Sequence, residues 1–525
     1  MKLLTRVGIW SITLVFALTM STVGHAAPKK KTPTKPAATK TKILTDPDGQ
    51  RYTLKRLRKK DIRYHKRADG SVRVLPYFLY QLAREDDKYL YIKEYIAPKD
   101  EPVTPPHIAS QPKTEPQPTP SPLVTLERVD RVTLTSFSEG LPTQGQWRNR
   151  FDIADMNGDS HLDIVHGPPR KGGGGPRIFL GDSTGHWRLW KEASYPQAGY
   201  DYGAVAVADF NGDTHLDLAL AAHLKGLTFL LGDGHGAFQL GARPEAFEPD
   251  TATRFTSRAV LAYDWNRDGK PDLIALGEGP RPGGKASGSF GSVVYLNQGN
   301  NQWQKQVLPA ADNAFGDTLA TGDVNNDGQT DILTASLAFE NRKLVQYGGA
   351  DTAPAEIAEL PPRAYIYAVA LADVDNDHRD DLVVGAMSQE GEQWSVPLMV
   401  LLSRADGTWQ SAMLANSKSQ NVISALAVGD IDGDKNTDIA ALDSDGGLRL
   451  FLGDGKGSFV EEQSPEVQPL GAGCRGYHLR LVDLNADARD EIVASFASEP
   501  VIMSGQMGCS GSGRLQVWTP SVVNH

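Results

Sequence analysis

Cysteine is almost missing from this chain: 525 residues hold two, Cys474 and Cys509. Histidine is sparse and scattered, twelve in all, so no recurring Cys or His set is available to zinc. Two late cysteines fit an oxidising compartment. Long apolar runs are also missing, apart from VGIWSITLVFALTM (7–20), which is shorter than the ~20 residues that span a bilayer. It follows Lys2 and Arg6 and runs into VGHA, so residues 1–26 read as a signal peptide cut after Ala26, with no transmembrane segment left behind. No cysteine follows the run, which argues against a lipid anchor. The short basic start and the Lys- and Pro-rich sequence behind it look bacterial, making the expected location periplasmic or secreted. Catalytic signatures are missing too: there is no H-E-x-x-H, no G-x-S-x-G and no reactive-cysteine pattern. GEGPRPGGKAS (277–287) approaches a phosphate-binding loop but puts Ala286 where a hydroxyl is needed, and an apolar strand, SVVYL (292–296), follows in place of a helix. KGGGGP (171–176) reads as loop. No catalytic residue is assigned.

What the chain does have is repetition. DMNGDSHLD (155–163) sets oxygen-bearing side chains at every second position, and it returns as DFNGDTHLD (209–217), DWNRDGKPD (264–272), DVNNDGQTD (323–331), DVDNDHRDD (373–381), DIDGDKNTD (430–438) and DLNADARDE (483–491). A spacing of 50 to 59 residues marks an array of supersecondary units. An apolar run leads into each comb, as in AVAVAD (204–209), and another leads out, as in LDLALAA (216–222). A third strand such as LTFLLGDG (227–234) follows, then a glycine turn with an aromatic, GDGHGAF (232–238) or GDGKGSF (453–459), and an outer strand after it. Seven four-stranded antiparallel sheets are best satisfied by closing into a seven-bladed propeller, which protects their edges.

These residues resemble the FG-GAP or VCBS repeat family, which includes the seven-bladed head of integrin alpha chains. The best single copy is AFGDTLATGDVNNDGQTDILTA (314–335), and the resemblance spans residues 124–520. It implies an all-β propeller with calcium in the loops between first and second strands, without implying an integrin's function.

The combs themselves suit calcium, which takes six to eight hard oxygens held flexibly. Side chains at positions 1, 3, 5 and 9 and a carbonyl at position 7 would supply them. The expected ligands are Asp155, Asn157, Asp159, His161 and Asp163 in the first comb and Asp209, Asn211, Asp213, His215 and Asp217 in the second. The third and fourth offer Asp264, Asn266, Asp268, Lys270, Asp272 and Asp323, Asn325, Asp327, Gln329, Asp331. Asp373, Asp375, Asp377, Arg379 and Asp381 come next, then Asp430, Asp432, Asp434, Asn436 and Asp438. The last comb has Asp483, Asn485, Asp487, Arg489 and Glu491. At the four side-chain positions the combs hold 23 carboxylates, matching the net charge of −22 over residues 124–525. Charge clustered so closely is costly unless a cation intervenes. The fifth and sixth combs, with four carboxylates each, are expected to bind most strongly, and the last, with Ala486 and Ala488 in place of turn residues, most weakly.

Residues 28–123 are the opposite, with 21 Lys and Arg against 11 Asp and Glu. Residues 27–42 and 99–123 are Pro-rich linkers; between them 43–98 reads as a small basic, Tyr-rich β module with turns at Ala68-Asp69-Gly70 and Glu85-Asp86-Asp87. This basic arm is expected to meet an acidic envelope surface rather than nucleic acid. Three expectations concern the ring. Cys474, ahead of the last repeat's first strand, pairs with Cys509 beyond its second. VTLTSF (132–137) supplies the outer strand that LQVWTP (515–520) lacks. The face opposite the combs, rich in Trp147, Arg148, Tyr200, Tyr202, Arg254, Arg258, Arg363, Tyr365, Arg475 and Tyr477, with Arg170, Lys171, Arg281 and Lys285, binds an acidic protein segment or anionic glycan. The leading function is a calcium-stabilised binding or adhesion scaffold. The alternatives are a carbohydrate-active enzyme of polysaccharide-lyase type and an envelope structural protein tethered by its basic arm.

Overall fold

The apolar runs beside each comb do form strands, because their alternation gives every strand a face to bury. The computed structural model describes residues 44–45, 51–59, 64–66, 71–74, 78–95, 131–170, 174–223, 226–241, 257–278, 292–308, 318–335, 344–348, 354–357, 360, 364–390, 393–417, 421–462, 474–498 and 513–522. The signal peptide and both linkers, together with Lys171, Arg254, Arg281, Lys285, Arg363 and Cys509, lie outside the described residues. The chain divides into two compact units, Met1–Pro112 and Lys113–His525.

In the first unit, six strands from Leu44–Thr45 to Tyr89–Tyr95 form one antiparallel sheet. The turn at Asp86 is as expected: its carboxylate accepts the Lys88 and Tyr89 amides at 2.9 and 2.8 Å and the Tyr91 hydroxyl at 3.0 Å.

The second unit is a seven-bladed β-propeller of four-stranded antiparallel blades, with no helix among the described residues. The innermost strands, in blade order, are Asp152–Ala154, Val205–Ala208, Ser257–Tyr263, Leu319–Gly322, Tyr365–Ala372, Ile423–Gly429 and Cys474–Val482. Each comb joins its innermost strand to the second, so that Ala208 faces Asp217 and Gly429 faces Asp438 across the start of the pair. All the combs therefore lie at one end of the ring. The aromatic expected to precede the outer strand instead begins it, in Phe238–Leu240 and Phe459–Glu461, because its ring is needed in the core at that point.

The apolar core is not inside the blades but between them. Seven clusters each draw on two neighbouring blades; one joins Leu218 and Leu230 to Val165 and Ile178, another Leu479 and Ile492 to Ala425 and Leu450. The ring closes on the pairing expected of 132–137: Val132–Ser136 is the outer strand of the last blade and pairs with Leu515–Val522, Trp518 opposite Ser136 and Val522 opposite Val132. Glu462, buried in blade 6, secures it by accepting the Arg131 and Val132 amides at 2.9 and 3.3 Å. Cys474 lies within the last innermost strand, opposite Ser498, rather than ahead of it, since that strand runs four residues further back than its apolar pattern.

Candidate functional site

Two ends of the ring carry different chemistry. At the comb end, every loop curls through left-handed residues at positions 4 and 6, from Gly158 and Ser160 to Ala486 and Ala488. This turns the odd-numbered side chains inward. Asp155 accepts the amides of Gly158, Asp159 and Ser160 at 2.8, 3.1 and 2.8 Å, and Asp209 repeats the pattern at 2.7, 3.1 and 2.8 Å. Position 2 is an apolar plug, buried in all seven loops from Met156 to Leu484.

Position 9 is the strap. Asp163 is fully buried and accepts Met156 N at 2.9 Å with one oxygen and Gly181 N, on the third strand, at 3.0 Å with the other. Asp217 and Asp438 do the same. Burial pushes these acids up, against the backbone bonds and helped by the neighbouring comb carboxylates: Asp163, Asp217 and Asp381 to about 7 and Asp438 to about 8. A nearby cation would favour their charged form.

The donor set fits a hard cation. Asp373, Asp375 and Asp377 each bring an oxygen within 4.8 Å of the others, as do Asp430, Asp432 and Asp434, and the buried Asp375 Oδ1 has no hydrogen-bond partner. The two groups are not equivalent. Arg404 Nη1 lies 2.8 Å from Asp375 Oδ2 and Arg379 pairs with Asp377, so two guanidiniums already occupy part of the fifth comb. The sixth has no such basic partner among the described residues, its Asp434 being met by Asn436 Nδ2 at 2.8 Å. Lys270 and Arg489 likewise fold back onto Asp268 and Asp487, at 2.8 and 2.7 Å.

The other end opens into a channel of about 640 Å³ lined by residues of the innermost strands of blades 3 to 7 and, for blades 1 and 2, by residues of the segments leading into those strands, Arg148, Asn149, Arg150 and Tyr202. Among the described residues five arginines line it, Arg148, Arg150, Arg258, Arg475 and Arg480, and no acid does. At its mouth arginines and tyrosines alternate. Arg475 sits 5.8 Å from the Tyr367 ring and 5.4 Å from Tyr477; Arg148 is 5.4 Å from Tyr477 and 5.9 Å from Tyr202; Arg170 is 5.4 Å from Tyr202. Arg475 has no carboxylate partner among the described residues, whereas Arg258 lies 3.7 Å from Glu278. An arginine held by rings is oriented without being neutralised, and it keeps its donors for an anion.

Of the residues expected on this face, Arg148, Tyr202, Arg258, Arg475 and Tyr477 line the channel. Trp147 does not: it is buried between the last and first blades, Nε1 bonded to Gln144 O at 3.0 Å, because its ring fills the gap beside His166 and Phe179. Tyr200 packs between blades 1 and 2 with its hydroxyl on Pro196 O at 2.8 Å, and Tyr365 stands two residues from Tyr367, which takes the lining position. Reading loops alone missed Arg150, Tyr367, His478 and Arg480. For Tyr367, His478 and Arg480 the available signal was a charged or aromatic residue inside an innermost strand, as Arg480 in LRLV (479–482); Arg150 lies ahead of its strand and gave none.

The FG-GAP-like repeat family matches residues 155–220, 209–275, 264–334 and 430–494, and the FG-GAP repeat family matches 365–393. No curated protein matches the chain. Among solved structures, the chain is similar to BBS1N crystallised in complex with ARL6DN, at 12% identity and a TM-score of 0.44, over 75% of this chain and 98% of that one. It is similar also to the lectin BP39L of Burkholderia pseudomallei, at 15% identity and a TM-score of 0.43, over 76% and 99%. Four of the five repeat matches begin at a comb, and together the matches cover just over half of the chain: the protein belongs to the FG-GAP repeat family.

Proposed function

We propose that this protein is an exported, calcium-stabilised binding scaffold that takes an acidic protein segment or anionic glycan at the channel mouth. The observation that carries the reading is the alternation Tyr367, Arg475, Tyr477, Arg148, Tyr202, Arg170 on the end of the ring away from the acidic combs. Guanidinium forks supported by aromatic rings are the groups that clasp carboxylates and anchor interfaces. Calcium acts through the fold: each comb ties the first two strands of a blade, and the Asp430 comb, without a basic partner among the described residues, would hold the ion most readily. In this reading a Cys474–Cys509 disulfide ties the last blade as well, and the basic 28–123 arm meets an acidic envelope surface.

The test is capture of purified protein on beads bearing polygalacturonate, poly-glutamate or neutral dextran. The acidic beads should retain it and dextran should not, and Arg148→Ala with Arg475→Ala should weaken retention at least about tenfold. EDTA should lower the melting temperature of parent and variant equally. Undiminished capture by the variant overturns the ligand site, and an EDTA-insensitive melt overturns the role of calcium.

A further inference from the structure

Below the mouth the channel narrows to a neck that holds charge of its own. Arg150 stands just before the first blade's innermost strand, yet its Nη1 lies 3.5 Å from the Leu319 carbonyl in blade 4. Blades 1 and 4 are on opposite sides of a seven-membered ring, so this guanidinium spans the channel. Arg480 and His478, from the last innermost strand, line the same space. Arg480 Nη1 is 3.7 Å from Asp152 Oδ1, and that carboxylate is already engaged, taking the Ile153 and Val207 amides at 3.0 Å each.

Two guanidiniums facing one carboxylate leave a positive charge in a partly buried neck. Burial, with Arg480 adding to it and Asp152 opposing, draws Arg150 down to about 10. His478 is kept neutral, first by burial and then by Arg150, Arg480 and His166, and its Nε2 is buried without a hydrogen-bond partner. An unpaired charge beside an unsatisfied ring nitrogen is costly to maintain in a site with nothing to receive it. Fork donors in a confined space are matched by an oxyanion.

We propose that the neck is an oxyanion site, in which one carboxylate, phosphate or sulfate group at the end of a ligand seats against Arg150 and Arg480 with His478 beside it. The proposal rests on the reading that an anionic ligand enters from the mouth, and adds that the ligand binds end-on, one charged terminus per ring. The tyrosines and outer arginines then grip the length of ligand behind that terminus.

The probes are sodium phosphate, sodium sulfate, sodium galacturonate and neutral galactose, at ionic strength matched with chloride, read by thermal shift on the full chain. At least one oxyanion should raise the melting temperature in a saturable way, galactose should not, and the ranking of galacturonate against phosphate and sulfate separates a sugar acid from an ester anion. Arg150→Met should raise the apparent Kd at least about tenfold, and Arg150→Lys, which keeps the charge but not the fork, by less. Arg475→Ala should keep the small-anion shift while losing bead capture. Equal shifts in the parent, Arg150→Met and Arg150→Lys, or no shift with any oxyanion, overturn the neck site. In the latter case intact bead capture leaves the mouth reading standing; lost capture with an intact small-anion shift does the reverse.

Discussion

Single residues decide how neighbouring combs touch. Asp380, at position 8 of the fifth comb, accepts Asp323 N at 2.7 Å and returns its own amide to Asp323 O at 2.8 Å. Asp490 repeats this on Asp430, at 2.8 and 2.7 Å. Only a glycine ahead of the receiving comb leaves room: a Cβ on Gly429 would collide with the Asp490 carboxylate, and one on Gly322 with that of Asp380. Gly429→Ala should cost about 1–3 kcal/mol in urea denaturation, and much of that should vanish in the background of Asp490→Ala. Additive losses would break the link. A second residue, His166, sets a response to pH. Burial lowers it to about 4 from an ordinary 6.5, against the bond to Gly167 O. The unfolded chain binds this proton first, so the stability it contributes is full above pH 6.5 and is lost as the pH falls toward 4. The span corresponds to about 3 kcal/mol. Compared with the parent, His166→Asn should show a flatter loss of melting temperature between pH 6.5 and 4, and parallel profiles would contradict this assignment.

At the scale of elements, the ring depends on one borrowed strand. Val132 and Leu134 are buried in the cluster shared by blades 6 and 7, and Ser138 Oγ donates to Val517 O at 2.7 Å. Without them the last blade would expose an unpaired strand, and its junction with blade 6 would lose part of its core. Trimming the chain through residue 138 should abolish the cooperative melt, and Leu134→Ala alone should cost about 2–4 kcal/mol. A trimmed protein that melts like its parent would place the closure elsewhere. This strand was legible in advance because VTLTSF alternates and stands unpaired before the first comb, while the last repeat ends one strand short. The full extent of Cys474–Val482 was not: CRGY carries no alternation, and only pairing with Glu491–Ser498 extends the strand through it.

The whole molecule separates its charge. The acid concentrates in seven loops at one end, and the described channel lining carries guanidinium without carboxylate. The net charge of residues 124–525, −22, conceals this basic interior. The separation predicts that bead capture and any effect of EDTA on the melt vary independently, since the comb carboxylates and the channel arginines lie at opposite ends of the ring. Calcium at the combs would quench the acidic end and leave the channel's charge in place.

The sequence by itself determined the repeat, the number of blades, the loop that each comb makes and the strand that closes the ring, because these depend on local alternation and turn chemistry repeated many times over. The pairing of a glycine before one comb with an aspartate at position 8 of the next was also written there, in TGD (321–323) with RDD (379–381) and VGD (428–430) with RDE (489–491). Tertiary structure alone decided which arginines face one another. Arg150, Arg475 and Arg480 come from opposite ends of the propeller sequence, and only closing the ring brings the inward faces of seven strands around one axis. It likewise decided that Trp147 is core, since a tryptophan in a loop and a tryptophan in a blade junction have the same neighbours in sequence. The fifth comb's basic partner has the same origin: Arg404 lies in another loop of that blade, and folding, not spacing, sets it on Asp375.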